Sequence, residues 1–283
     1  MVDKARVTAA ERRVRQAIEK ASTGIDRAVN EAQAIAFDAM EAEGAERLKL
    51  AGKALESSGF CVDAWGIVAA EAPEGTELAL QLWRHAVAVG EAGFGPWRMA
   101  DWKGEFWQVV ETRPYMRARQ GLALELRRQG QVAEAIDTLR GTLALNPNDN
   151  QGIRYILLDW LLEAGALPEA AALHAAYEED DSAAWHYGAL LIAFRQGGAA
   201  AAAPVLAAAL ANNPHVPGLL LGRVAAPAAE PEYYTPGEAS EALVYLQTGA
   251  AGWQAAEGAL DWLREAVPGE AAPPAKPKRK TRG

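Results

Sequence analysis

The chain contains one cysteine, Cys61, so no internal disulfide can form and no cysteine-based zinc site can exist. Its four histidines, His85, His174, His186 and His215, are scattered, and none forms a close pair at metal-ligand spacing. Strand signals are scarce, because few stretches alternate β-branched or aromatic residues with polar ones. Also missing are a Gly-x-Ser-x-Gly elbow, a GxxxxGK[ST] phosphate loop and a GxGxxG turn behind a strand. Carboxylate pairs are common on helices this acidic and point to nothing in particular. The expectation is a protein that is not an enzyme and holds neither metal nor cofactor.

Long apolar runs are lacking too. The longest, Ala199–Ala211, contains Pro204 and is too short and too rich in alanine to span a bilayer. The first twenty residues carry Lys4, Arg6, Arg12, Arg13 and Arg15 among acids, with no apolar core of signal-peptide length. A cytoplasmic protein without membrane contact is expected. Net charge is −9, unevenly placed: Lys276, Lys278, Arg279, Lys280 and Arg282 stand in the last eight residues with no acid, which leaves the body at −14. An acidic body repels phosphates, so nucleic acid is an expected partner only through that tail.

What the chain does have is helix. Half of its residues are hydrophobic, enough to fold, and alanine, leucine, glutamate and arginine dominate, all good helix formers. The clearest unit runs from Pro114 to Pro147. Tyr115, Ala118, Leu122 and Leu126 fall at spacings of three and four and line one helix face. Gly130 breaks that helix, then Val132, Ala135, Ile136, Leu139 and Leu143 draw a second stripe, and Pro147 ends it. Two short helices sharing one face cannot bury it alone, so similar hairpins should flank them. Gly130 recurs as Gly165 and Gly197, 35 and 32 residues on, and Pro147 recurs as Pro214 after 67. Between them lie helical segments at 151–164, 168–177, 183–195 and 199–211.

This hairpin resembles a tetratricopeptide repeat, a helical pair of about 34 residues. Leu122, Ala123, Ala135, Leu139 and Pro147 occupy matching positions, while Arg119 stands where that family has its first aromatic. The runs EFWQVVETRPYMRA, LNPNDNQGIRYILL, EEDDSAAWHYGALL, NNPHVP and PEYYTPGEASEALVYL are similar in type and order to suppression-of-tumorigenicity-7-like proteins, over roughly residues 45–265. The resemblance implies an all-α, right-handed α-solenoid of tetratricopeptide-like hairpins with helical caps, and attaches no reaction to it. The eukaryotic relatives are membrane-associated, whereas this chain has no spanning run. The bacterial relatives are mostly described only as repeat proteins.

The expected organisation is a charged helical leader at 1–44, a solenoid at 45–225 interrupted by an aromatic insertion at 91–112, a helical cap at 226–267 and a basic tail at 268–283. The leader reads as a solvated capping helix or an oligomerising one. In the insertion, Phe94, Trp97, Trp102, Phe106 and Trp107 carry too much apolar area to stay wet, so it should fold back as core, with a contact site as the sharper alternative. Thr76 is placed to cap a helix at 77–89, and Asp149 or Asn150 the helix after Pro147. Thr235-Pro236-Gly237-Glu238 reads as a capping box opening a helix to about Leu246, followed by another at 253–267.

Stacked hairpins present a concave groove lined by the first helix of each pair. The repeat geometry aims Arg117, Gln120 and Leu124, then Gln151, Arg154 and Tyr155, then Tyr187 and Arg195, into it. Arginine and tyrosine are interface anchors, so the leading expectation is an adaptor or scaffold holding a protein or peptide there. The chaperone-tail clamp known in some repeat proteins is not expected, since it needs lysine and asparagine where Gln120 and Leu124 stand. The alternative is a nucleic-acid or acidic-surface tether acting through the basic tail.

Overall fold

A computed structural model describes residues 27–226 and 233–269, and every regular element among them is helical. They form two compact units that meet in sequence at Ile153 and Arg154.

The first unit contains α1 (27–41), α2 (Gly44–Ser57), α3 (Val62–Glu71), α4 (Glu77–Asp101), a 3-10 turn at Val110–Thr112, α5 (Arg113–Arg128) and α6 (Val132–Leu145). From α2 onward each helix packs on the next, and α3 also meets α5. The expected faces are inside: Tyr115, Ala118, Leu122 and Leu126 of α5 and Ala135, Ile136, Leu139 and Leu143 of α6 are all buried. Gly130 turns the chain between these two helices at φ 74°, a conformation that side chains resist. Thr76 caps α4 as expected, its hydroxyl accepting the Ala79 N–H at 3.3 Å.

Arg119 explains the missing aromatic. Its guanidinium donates to Thr142 Oγ1 at 2.9 Å, the Thr138 carbonyl at 3.0 Å and the Tyr115 hydroxyl at 3.1 Å, joining α5 to α6 by polar bonds. Gly141 makes room for it, because a Cβ there would lie 2.6 Å from Arg119 Nη2.

The aromatic stretch does not interrupt the helices where the sequence suggested. α4 runs on to Asp101, broken only at Gly95 (φ 68°, ψ 167°), after which Pro96 starts a second arm. Phe94 meets Trp102, Phe106 and Tyr115 edge-on at 5.8–6.2 Å, and Phe106 is wholly buried. The N–H groups of Gly104 and Phe106 both donate to the Leu145 carbonyl and tie the stretch to the end of α6. Over the described residues 27–41 the leader is the helix α1, with only Ala32, Ala36 and Ala39 of that stretch buried. Ala32, Ala36 and Ala39 of α1 form one core with Ala51, Ala54, Cys61, Ala64 and Ile67, because small side chains allow close helix approach. Residues 1–26 lie outside the described residues.

The second unit contains α7 (Ile153–Glu163), α8 (Leu167–Ala176), α9 (Ala183–Asn212), α10 (Val216–Leu220), α11 (Ala239–Ala255) and α12 (Ala259–Ala266). Asp149 Oδ1 accepts the Ile153 N–H at 2.7 Å and caps α7; Ser182 caps α9. α8, α11 and α12 all pack on α9. By length and composition α9 could cross a membrane. However, Gly197 and Gly198 leave helical geometry and divide it into arms at 183–196 and 199–212. Each arm is about 21 Å long, short of the roughly 30 Å of hydrocarbon.

After Pro214 the chain forms the short helix α10, and beyond it one expectation fails. The Thr235 capping box is not made: α11 begins at Ala239, and neither Thr235 nor Glu238 caps it by side chain. Glu241 takes over, its carboxylate accepting from Gly237 N at 2.8 Å, Ala183 N at 3.0 Å and Asn213 Nδ2 at 3.0 Å. α11 then continues past Leu246 to Ala255, because Gly249 and Gly252 serve there as contact points. A Cβ at Gly249 would come within 2.2 Å of Tyr245, and one at Gly252 within 3.3 Å of Leu162 and Leu191.

Candidate functional site

In the first unit α1, α4 and the start of α5 leave an open cleft of about 840 Å³. α1 contributes Val29, Gln33 and Phe37, spaced by four along one face. Phe60, Trp102 and Val110 extend the apolar wall. Phe37, Phe60 and Val110 are 51%, 42% and 60% exposed, so three large apolar side chains stay wet around one opening. Among the described residues, three arginines, Arg98, Arg113 and Arg117, share the lining with one acid, Glu111. The guanidinium of Arg98 lies over Trp102 at 5.7 Å and that of Arg113 over Trp107 at 5.3 Å. Arg113 Nε also donates to the Trp107 carbonyl at 3.0 Å.

Arg117 is held from behind. Its Nε donates to Asp63 Oδ1 at 3.0 Å and its Nη2 to Oδ2, while Gln33 Nε2 donates to Oδ2 at 2.7 Å. Asp63 is 4% exposed, so one buried carboxylate joins α1, α3 and α5. Arg117 also lines a smaller hollow of about 280 Å³ with Trp83, Gln120 and Leu124. Gln151 Nε2 donates to Gln120 Oε1 at 3.2 Å. The fold thus brings Arg117, Gln120 and Gln151 together.

In the second unit Arg154 and Tyr155 are also occupied. Arg154 Nε donates to Asp180 Oδ2 at 2.8 Å and the Tyr155 hydroxyl donates to the same oxygen at 2.7 Å. The guanidinium sits over Tyr155, Tyr177 and Trp185 at 4.3, 5.3 and 5.8 Å. Burial, reinforced by Asp180, pushes the Tyr155 hydroxyl up to about 12. Burial also raises Asp180, but its donors Ser182, Tyr155 and Arg154 outweigh it and hold the carboxyl below its usual value. Arg195 donates to the Leu162 carbonyl. Tyr187, expected to face a groove, is wholly buried. Its hydroxyl donates to the Asn213 carbonyl at 2.7 Å and its ring lies 5.8 Å from Tyr245. It is a core residue because α9 is covered by α8, α11 and α12.

The ST7 protein family matches this chain over residues 15–270. The chain belongs to the ST7 protein family. A comparison with curated proteins returned no match. In this ST7-family chain the basic residues Lys276, Lys278, Arg279, Lys280 and Arg282 lie outside the described residues. Among the described residues no group of three or more His, Cys, Asp or Glu side chains converges as a metal site would. Cys61 is buried, and burial raises its thiol above the ordinary range.

Two acids escaped the sequence reading, Asp63 and Asp159. Each is a lone carboxylate in a run of apolar residues, VDAWGIV and ILLDWLL, and that isolation was the available signal. Asp159 is 6% exposed, and burial pushes its carboxyl up to about 7, with Glu163 adding to the rise and Thr248 opposing it.

Proposed function

We propose that this ST7-family protein is a non-enzymatic interaction module, an adaptor or scaffold, that binds a protein segment in the α1/α4/α5 cleft of its first unit. The observation that carries the reading is the wet apolar cluster of Phe37, Phe60 and Val110 around one 840 Å³ opening. Contiguous exposed apolar surface costs solubility unless a partner covers it, and the volume is that of a ligand-sized pocket. The packing of α3 on both α4 and α5 supports the further reading of tetratricopeptide-like hairpins stacked as a right-handed α-solenoid. The proposal places the protein in the cytoplasm, away from membrane.

The binding site shifts from the groove expected in sequence. Arg154, Tyr155 and Tyr187 are engaged in internal contacts, whereas the cleft offers side chains still facing solvent. The second reading, a tether for nucleic acid or another acidic surface, is favoured by the five cations of the last eight residues. Capture from nuclease-treated lysate separates the two, using the full chain, a 1–267 truncation and Gly93→Leu. A Cβ at Gly93 would lie 3.7 Å from Phe60, so a leucine there fits while filling the cleft. A protein partner retained by the truncation and lost with Gly93→Leu supports the adaptor. Partners lost with the truncation or with nuclease support the tether.

A further inference from the structure

Asp159 of α7 is buried with too few partners to be a comfortable carboxylate. Its Oδ2 meets no hydrogen-bond donor among the described residues. Thr248 of α11 serves the group by its hydroxyl, which also bonds the Tyr245 carbonyl at 3.4 Å. A buried carboxylate so poorly served is costly, whereas the neutral acid is not. The surrounding groups add no compensation. Glu163 lies one turn further along α7, Tyr245 faces Asp159 from α11, and Tyr187 of α9 lies against Tyr245. Arg195 of α9 and His174 of α8 are engaged on the Leu162 and Trp185 carbonyls.

Water is one side chain away, because Thr248 is exposed although Asp159 is not. A small outward shift of α11 is therefore enough to hydrate the carboxyl. The helix is built to make it. Left-handed glycines bracket α11, Gly237 at φ 78° and Gly258 at φ 76°, and such positions absorb hinge rotations. Glu241 anchors the first turn to Ala183 N and Asn213 Nδ2, while Asp159 lies against the middle. We propose that α11 is a proton-latched lid, closed on α7 and α9 while Asp159 is neutral and lifted when that carboxyl ionises. Lifting uncovers Leu162 and Leu191 under Gly252 and Tyr187 beside Tyr245. Burial holds the folded carboxyl up at about 7, with Thr248 opposing the rise and Glu163 adding to it. The latch is thus fully engaged below the ordinary 3.8 and is lost as pH rises through about 7.

Hydrogen exchange of the full chain between about pH 5 and pH 8, with each amide normalised to its intrinsic rate, tests the lid. Protection of α11 should fall roughly tenfold per pH unit up to about 7 and level off above it, since opening releases one proton. At about pH 8 the α11 amides should exchange at least roughly tenfold ahead of the α9 arm at 183–196, the mark of a local opening. Asp159→Asn should remove the slope from α11. Thr248→Val deletes the donor that favours the ionised form, so the levelling point should move to higher pH. That variant keeps the test open if Asp159→Asn does not fold. The lid is overturned if α11 and the α9 arm lose protection together, which is unfolding of the whole unit. It is equally overturned if Asp159→Asn keeps the slope, or if Thr248→Val leaves the levelling point in place or lowers it.

Discussion

Arg117 forks onto Asp63 across 54 positions of sequence, and Gln33 donates to the same carboxylate. The three residues belong to α5, α3 and α1, so a single buried acid fixes one wall of the cleft. Removing Arg117 leaves that acid with one neutral donor. Arg117→Ala should lower stability by about 2 kcal/mol, since Arg117 is itself partly exposed. Asp63→Ala should cost a similar amount, and the double variant less than the sum of the two. Urea midpoints of the three variants check this; strict additivity would show that the pair is not coupled.

Two glycines of α4 three residues apart should respond in opposite directions. A Cβ at Gly90 would lie 2.6 Å from Cδ2 of Tyr115, whose ring is wholly buried. Gly90→Ala must displace that ring and should destabilise by about 1–3 kcal/mol. Among the described residues a Cβ at Gly93 would meet only Phe60, at 3.7 Å. Gly93→Ala should therefore stabilise by about 0.5–1 kcal/mol through the greater helix propensity of alanine. Thermal denaturation of both variants tests the packing of α4 on α5.

Asp159 predicts a stability that declines as pH rises. Its folded value of about 7 lies above the ordinary 3.8, so the native state holds a proton that the unfolded chain gives up earlier. The contribution is fully present below about pH 4 and is lost as pH rises through about 7. In free energy the difference is of order 4 kcal/mol. Asp159→Asn should flatten this profile between pH 4 and 8 and be more stable than the parent at pH 8. Denaturation series at several pH values decide the matter, with equal slopes in both proteins as the contrary result.

The Arg154–Asp180–Tyr155 cluster behaves oppositely. Asp180 is held low, so its contribution is present at neutral pH and lost as acid protonates it. Tyr155→Phe removes one bond to the carboxylate and should cost about 1 kcal/mol. Arg154→Ala breaks a pair whose side chains are 18% and 7% exposed and should cost about 3 kcal/mol. Stability measured at pH 7 and pH 3 should show both losses shrinking in acid. Persistence of the full losses at pH 3 would remove the ion pair as their cause.

The central hairpin was legible because its information is local. Apolar spacings of three and four, Gly130 and Pro147 place α5 and α6, and their expected faces are buried. The alanine stripe of α1 was not read, since small residues carry little hydrophobic signal yet pack most closely. The helix expected to end at about Leu246 runs on through Gly249 and Gly252, whose close contacts depend on Tyr245 and on residues of α7 and α9. The cleft itself was hidden for the same reason. Arg117 was expected in a groove and Arg113 lies one turn before it, but the partners that make a site of them, Phe37 and Phe60, lie more than fifty positions earlier. Tyr187 stood at a plausible groove position and went into the core because three helices cover α9.

The most direct measurement is photo-crosslinking in cells with a photoreactive phenylalanine analogue placed at Phe37, at the equally exposed Leu78 outside the cleft lining, and at Lys276 in the tail. The cleft account predicts a discrete protein adduct from position 37, lost with Gly93→Leu and absent at 78. Adducts of equal strength from 37 and 78, or from 276 alone, would contradict it.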